Sequence, residues 1–389
     1  MPAAKVAVFI GTRPEAIKMA PVIRALSEAD DFTPVVISTG QHREMLQQVI
    51  DLFEIKTDLE LDVMRPNQTL AGLTSRLITE CDSALAQVEP DMAMVQGDTT
   101  TVMAAALCSF YRGIAVGHVE AGLRTGNLRA PFPEEANRVL AGRLTTLHFP
   151  PTPRAQQNLE REGVEVGQIL VTGNTVIDAL HMEVARQERP AVRAQIDESL
   201  RGLIGADWRS RPNVLITGHR RESFGAGFEA ICGALGTLAE RFPDHRFIYP
   251  VHLNPNVKGP VYATLGNRDN ILLVPPQAYQ EFVALMHAST VVLTDSGGVQ
   301  EEAPGLGKPV LVMRETTERP EGVEAGTVKL VGTDQARIVD EVSRLFTDEA
   351  AYNDMARAEN PYGDGKAAPR IVERLRAYLA SRAPRSQPQ

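Results

Sequence analysis

The sequence predicts an α/β protein of two Rossmann-like domains facing each other across a cleft. Three observations carry that expectation. Short apolar runs rich in β-branched residues alternate with amphipathic stretches, the rhythm of parallel strands covered by helices on both faces. A chain of 389 residues exceeds one ordinary domain. The residues best suited to chemistry fall repeatedly just after a strand, where open α/β sheets hold their ligands.

The elements follow in order. The first strand, Val6-Ala7-Val8-Phe9-Ile10, ends at Gly11-Thr12-Arg13-Pro14-Glu15, and an amphipathic helix runs from there to about Ala29. Val35-Val36-Ile37-Ser38, Met92-Ala93-Met94-Val95 and Ile114-Ala115-Val116 are further strands, with helices over 42–53, 69–88 and 99–111. Arg13, Gln41, His42, Asp98 and Glu120 come at the ends of these strands. Val171-Thr172-Gly173-Asn174-Thr175 closes this half, so a first domain is expected over 1–173 and a second over 174–367. An Arg-rich stretch to Pro212 reads as a helix and loop leading into the second domain.

There the rhythm resumes. Val214-Leu215-Ile216-Thr217 runs into Gly218-His219-Arg220-Arg221-Glu222, and a helix follows through about Arg241. Phe247-Ile248-Tyr249-Pro250-Val251-His252 and Ile271-Leu272-Leu273-Val274 are strands, and the apolar runs 291–293 and 309–312 bracket a loop and short helix. Pro361-Tyr362-Gly363-Asp364-Gly365 reads as flexible. The tail helix, from Ala368 to about Ala380 within 368–389, is expected to pack back on the first domain.

Composition narrows the function. The chain is 43% hydrophobic and 23% charged, with a net charge of −9, which disfavours a general nucleic-acid or anionic-membrane binder. No apolar run approaches the ~18 residues that span a bilayer. Val6 to Ile10 follows Met1 too closely for signal-peptide anatomy, and Cys81, Cys108 and Cys232 lack metal spacing. Buried free thiols in a reducing cytoplasm are expected.

The stretch Thr294-Asp295-Ser296-Gly297-Gly298 through Glu302 carries the strongest local chemistry. Gly297 and Gly298 admit a sharp turn and let a ligand approach the backbone, and Ser296 can cap the helix that follows. The N–H groups of such a helix start attract an anion. A carboxylate at Glu302 would repel phosphate, and suits ribose hydroxyls better. Arg13 and Lys18 flank the first helix start, where a guanidinium suits phosphate, although a surface ion pair is the commoner explanation of Arg13 taken by itself. Asp98, in Gln96-Gly97-Asp98-Thr99-Thr100, reads as a helix cap or a catalytic acid. Glu120, bracketed by Gly117 and Gly122, has no structural role that needs it. Glu134 and Glu135 follow Pro133, where first-turn acids also complement the helix dipole. Asp98, Glu120 and Glu134 with Arg13, Lys18 and His219 form an acid–base set if they converge. Metal spacings, a nucleophile elbow, a Walker loop and a dinucleotide Gly-x-Gly-x-x-Gly are all missing, so neither metal nor cofactor is expected.

Together these motifs resemble the non-hydrolysing UDP-N-acetylglucosamine 2-epimerases of bacteria. The resemblance runs in order through Gly11-Thr12-Arg13-Pro14-Glu15, Gln41-His42-Arg43-Glu44-Met45-Leu46, Gln96-Gly97-Asp98-Thr99, His118-Val119-Glu120-Ala121-Gly122-Leu123-Arg124, Pro133-Glu134-Glu135-Ala136-Asn137-Arg138, His219-Arg220-Arg221-Glu222, Asp295-Ser296-Gly297-Gly298 and Arg314-Glu315-Thr316-Thr317-Glu318-Arg319-Pro320. It implies the glycosyltransferase-B fold, a homodimer without cofactor, and interconversion of UDP-GlcNAc and UDP-ManNAc through loss and return of UDP. It further implies Asp98, Glu120 and Glu134 as catalytic acids, with Lys18 and Arg138 close by and His219 near the diphosphate. Arg13, Ser296, Gly297, Gly298, Glu302 and Arg319 would hold the nucleotide. Phe132 stands where the family commonly has Trp, and Ser223 where Asn often follows Arg-Arg-Glu. A 2-epimerase of a modified UDP-sugar, a glycosyltransferase of the same fold and a UDP-sugar sensor are the alternatives.

Overall fold

The structure, a computed structural model, describes residues 3–40, 43–218, 220 and 224–381. The chain divides into two compact units, Met1–Ala179 with Gly363–Gln389, and Leu180–Tyr362. The boundary falls inside the helix Thr175–Gln187.

The first unit is built on β1 (Ala4–Ile10), β2 (Phe32–Ser38), β3 (Leu59–Glu60), β4 (Met92–Gln96), β5 (Ala115–Val119) and β6 (Leu147–Phe149). They form one sheet in the order β3-β2-β1-β4-β5-β6, with every pair parallel. Val6, Ala7, Val8, Ala93, Met94 and Val116 are wholly buried, as strands covered on both faces require. The order reverses between β1 and β4, which leaves a crevice at their carboxyl ends. The loops after β1, β4 and β5 therefore rise beside one another.

The second unit repeats this plan. Its strands are β7 (Asn213–Thr217), β8 (Arg246–Pro250), β9 (Ile271–Val274), β10 (Val291–Thr294), β11 (Val310–Val312) and β12 (Val328–Leu330). The order β12-β11-β10-β7-β8-β9 is the first sheet's order read from the other edge. The reversal here lies between β7 and β10, so the loop holding Gly218 stands next to the one holding Ser296. Phe247, Leu235, Val291 and Leu293 anchor a core between this sheet and the helix Ala226–Arg241.

The structure adds elements and corrects two readings. β3, β6 and β12 were not expected, because two or three residues, one pair containing Glu60 and one run containing His148, show no period. The stretch to Pro212 is two helices, Thr175–Gln187 and Pro190–Ile204, separated at the residue before Pro190. The segment 361–365, expected to be flexible, contains an anchored side chain. Tyr362 is 2% exposed, and its hydroxyl accepts from Gly322 N at 3.0 Å and donates to Arg319 O at 3.1 Å.

The final helix, Ala367–Ser381, belongs to the first unit and packs on the helix Arg13–Ser27. Ile371, Val372 and Leu375 are its buried face. Asp178 ties down its first turn, accepting from Ala367 N at 3.2 Å and Ala368 N at 2.9 Å. These are orphan donors of a helix start meeting a buried carboxylate. Asp178→Ala is expected to destabilise the protein by about 1–3 kcal/mol, read as a lower urea midpoint. An unchanged midpoint would remove Asp178 from the anchoring of this helix.

Candidate active site

The first unit gathers its polar side chains at the switch point of its sheet. Gly97 leaves β4 with φ +80, a backbone conformation that glycine adopts without penalty. The helix Thr100–Tyr111 then starts at Thr99, whose hydroxyl accepts from Val102 N at 3.4 Å. Thr99, not Asp98, is thus the capping residue. The Asp98 carboxylate points elsewhere, 3.4 Å from Arg138 Nη2. Asn137, one residue before Arg138 on the helix Glu134–Leu144, donates to Asp98 O at 3.0 Å. Arg138 is 5% exposed and lies 3.2 Å from Glu135 as well. Burial pushes the Asp98 carboxyl above its ordinary 3.8, the Arg138 guanidinium pulls it back, Glu120 raises it again, and Lys18 and Glu134 add opposing smaller effects.

Glu120 follows β5 in a left-handed conformation, φ +60. For a residue with a Cβ this costs roughly 1–2 kcal/mol, a strain that surrounding contacts must hold. Lys18 Nζ donates to both carboxylate oxygens, at 2.7 and 2.6 Å. Gln96 Nε2 donates to Oε2, and Asn174 Nδ2 donates to Oε1 at 3.2 Å. The Lys18–Glu120 pair is largely buried, with side-chain exposures of 19% and 9%. Such a pair is charge-assisted and geometrically fixed.

Glu15 fastens the loop after β1 to the loop after β4. It accepts from Gly11 N and Thr12 N, both at 2.7 Å, and from the Thr99 hydroxyl at 2.5 Å. Gly11 has no room for a side chain, since an added Cβ would run into Thr39, Thr101 and Glu15. Burial raises the Glu15 carboxyl from its ordinary 4.5, and the hydrogen bonds from Thr99, Gly11 and Thr12 oppose that rise. Arg13 opens the first helix in a half-buried position beside this loop, and Glu134 opens its own helix, also half-buried.

In the second unit the helix Gly297–Gly305 starts at Ser296, whose side chain accepts no capping bond. Its N–H donates instead to the Thr294 hydroxyl at 2.9 Å. Asp295 braces the neighbouring loop, its N–H bonded to Thr217 O at 3.0 Å and its Oδ2 accepting from Arg220 N at 2.7 Å. A Cβ on Gly297 would stand 4.0 Å from Arg220 Nη2, and one on Gly298 would stand 3.5 Å from Glu302 Oε1. A guanidinium and a carboxylate thus flank one helix start, the arrangement that a diphosphate joined to a ribose would use. Arg319 is held by Glu301, which its Nε contacts, and its own N–H donates to the Thr317 hydroxyl at 3.0 Å.

The structure therefore brings Lys18, Asp98, Glu120, Glu134 and Arg138 into one electrostatic neighbourhood, with Arg13 on the adjoining loop. It brings Ser296, Gly297, Gly298 and Glu302 together in the second unit, and Arg319 is engaged by the Glu301 carboxylate of the same helix. His219, Gln41 and His42 lie outside the described residues. Sequence reasoning passed over Glu15, Gln96, Asn174, Arg220 and Glu301 as individual actors. All five stand inside quoted stretches, so position near a strand end was the available signal. Among the described residues no group of three or more His, Cys, Asp or Glu could hold a metal ion.

Two doubly wound sheets of the same order, each with polar loops gathered at its switch point, define a protein of two Rossmann-like units with the glycosyltransferase-B fold. A profile of the family described as UDP-N-acetylglucosamine 2-epimerase matches residues 24–376. The UDP-N-acetylglucosamine 2-epimerase of Yersinia pestis is 54% identical over 375 residues, covering 96% of this chain and 99% of that protein. The crystal structure of UDP-GlcNAc 2-epimerase from Neisseria meningitidis bound to UDP-GlcNAc is 47% identical, with TM-score 0.86, covering 96% of this chain and all of that one. A glycosyltransferase from Rickettsia africae, 12% identical with TM-score 0.64 over 98% of this chain, shares the fold alone. The chain belongs to the UDP-N-acetylglucosamine 2-epimerase family, a family of isomerases.

Two histidines behind the site make stability depend on pH. His118 Nε2 bonds Gly97 O at 2.7 Å, and burial drives its pKa from 6.5 down to about 4. Burial likewise takes His148 down to about 3. Both stay neutral in the fold while the unfolded chain takes up protons below about 6.5. The folded state then binds fewer protons, so stability is full above pH 6.5 and is lost as pH falls toward 4. His118→Asn is expected to remove one group's share of that slope, about 3 kcal/mol between those limits. Parallel stability curves for variant and wild type, measured by denaturant titration over this pH range, would contradict it.

Proposed function

We propose that the protein interconverts UDP-GlcNAc and UDP-ManNAc without hydrolysing either. The observation that carries this reading is the unequal treatment of two neighbouring carboxylates. Glu120 is clamped by an ammonium and two amides, whereas Asp98 is half-buried beside a single guanidinium. Inverting a carbon needs two such groups, one to take a proton and one to return it.

The C2–H of the sugar is too weakly acidic for simple removal and return. In the reading proposed here a carboxylate takes the C2 proton while the C1–O bond breaks and UDP leaves with its electron pair. The product is the C1=C2 alkene 2-acetamidoglucal. A second acid then protonates C2 from the opposite face as UDP oxygen re-forms the bond to C1. Asp98, Glu120 and Glu134 are the candidates for these transfers, with Lys18 and Arg138 stabilising the charge that moves. The acids are read in the first unit, over 1–173 with the tail helix, and the nucleotide loop in the second. Ser296, Gly297, Gly298 and the N–H groups behind them would hold the diphosphate, with Glu302 on the ribose and Arg13, His219 and Arg319 assisting. Positioning and electrostatics suffice for this chemistry, with no cofactor.

The setting is read as a cytoplasmic homodimer that supplies cell-surface polysaccharide synthesis. Three buried free thiols support a reducing compartment. Phe110, Tyr111 and Leu140, exposed on helices of the first unit, support self-association.

Three experiments test the proposal. Turnover of UDP-GlcNAc in D₂O is expected to place deuterium at C2 of the product, followed by NMR, and product lacking it would overturn the elimination route. Asp98→Asn keeps shape and removes a base, so kcat is expected to fall about 10²–10⁴-fold with UDP affinity retained. Full activity would take Asp98 out of the chemistry. For the nucleotide loop, Glu302→Ala is expected to weaken UDP binding by about 1.5–3 kcal/mol. Unchanged calorimetric affinity would refute the ribose contact.

A further inference from the structure

We propose that Asn174 is a positioning residue for Glu120, its amide fixed by the start of the following helix and presented as a hydrogen-bond donor to that carboxylate. The inference rests on the reading that Glu120 takes part in proton transfer. Asn174 is 2% exposed and stands at the close of the first half of the chain, 54 residues from the acid it touches. Its Oδ1 accepts from Val176 N at 3.2 Å, the first turn of the helix Thr175–Gln187. That bond decides which end of the amide is which. With the oxygen committed to the helix, Nδ2 must face Glu120, and it donates to Oε1 at 3.2 Å. Chain returning at Gly363 closes over the same place, where an added Cβ would lie 3.2 Å from Gly173 Cα and 3.3 Å from Asn174 N. Asn174 thus has little freedom to turn away.

The consequence concerns the proton on Glu120. Amide NH₂ groups only donate, so an O–H on either Glu120 oxygen would meet a donor rather than an acceptor. Asn174 on Oε1 and Gln96 on Oε2 therefore favour the carboxylate form and hold its plane. Among the described residues, the charged and titratable groups facing Glu120 include Lys18 from the helix Arg13–Ser27, Asp98 from the loop after β4, and His118 from β5. Lys18 acts in the same direction as the amides, and Asp98 against them. Unlike the lysine, the amides carry no charge that could follow a departing diphosphate. They keep the acid in place through turnover.

Asn174→Asp separates this role from a structural one. Asp is as good a helix cap as Asn, and the two are equal in size, so a capping role alone predicts wild-type behaviour. The donor onto Oε1, however, becomes a like charge, which favours the protonated acid. The pH–kcat limb that disappears in Glu120→Gln is expected to move about one unit to higher pH in Asn174→Asp, with kcat at pH 7 reduced roughly 10–100-fold and UDP affinity unchanged. Asn174→Ser retains a cap and is too short to reach Glu120. It is expected to lower kcat over the same range without moving the unfolding midpoint by more than the cap's share, and it decides the matter if Asn174→Asp does not fold. A wild-type profile and rate in either folded variant, with Glu120→Gln slowed and lacking that limb, overturns the role of Asn174. Full activity in Glu120→Gln overturns the reading of Glu120 beneath it.

Discussion

The constraint on which everything else depends is the reversal of strand order inside each sheet. A parallel sheet wound in one direction would send successive loops past one another along an edge. Winding outward both ways from a central pair parts the helices there, and leaves the carboxyl ends of that pair uncovered by them. In the first unit the pair is β1 and β4, in the second β7 and β10. Each unit places its loops with the most polar side chains at that opening. The chemistry is local to the places where the fold cannot cover its own backbone.

How those loops are held differs between the units. In the first, side chains from distant parts of the chain lock onto one another, Lys18 to Glu120 across 102 residues and Glu15 to Thr99 across 84. The left-handed backbone at Glu120 persists because several donors converge on its carboxylate. In the second, bonds between adjacent strand ends do more of the holding: Thr217 to Thr294, and Asp295 to the backbone of Thr217 and Arg220. A rigid acid and an open helix start are different requirements, and the two units meet them by different means.

Much of this was legible in the sequence. Wholly buried strands such as Val291-Val292-Leu293 announce themselves as unbroken apolar runs, and Asp98, Glu120 and Ser296 stand out because they follow such runs. The two-residue strand at Leu59 was not legible, since a strand that short has no period. Neither was the choice of Thr99 over Asp98 as helix cap, because both residue types cap well and only the position of Arg138 draws the aspartate away. Partnerships such as Glu301 with Arg319 or Asn174 with Glu120 depend on which helix returns to which loop. Nothing in local composition encodes that.

The return of the last helix to the first unit bears on how the molecule is made. The second unit is continuous in sequence, so it can assemble on the ribosome as soon as its own residues have emerged. The first is interrupted. Its sheet is synthesised early, yet the helix Ala367–Ser381 that covers Arg13–Ser27 arrives only after the whole of the second unit has been translated. During that interval the face of Arg13–Ser27 that meets the final helix, and Ile371, Val372 and Leu375 that pack there in the finished fold, are not yet joined. The nascent chain thus carries an unfinished apolar surface through most of its translation, and holdase chaperones recognise surfaces of that kind.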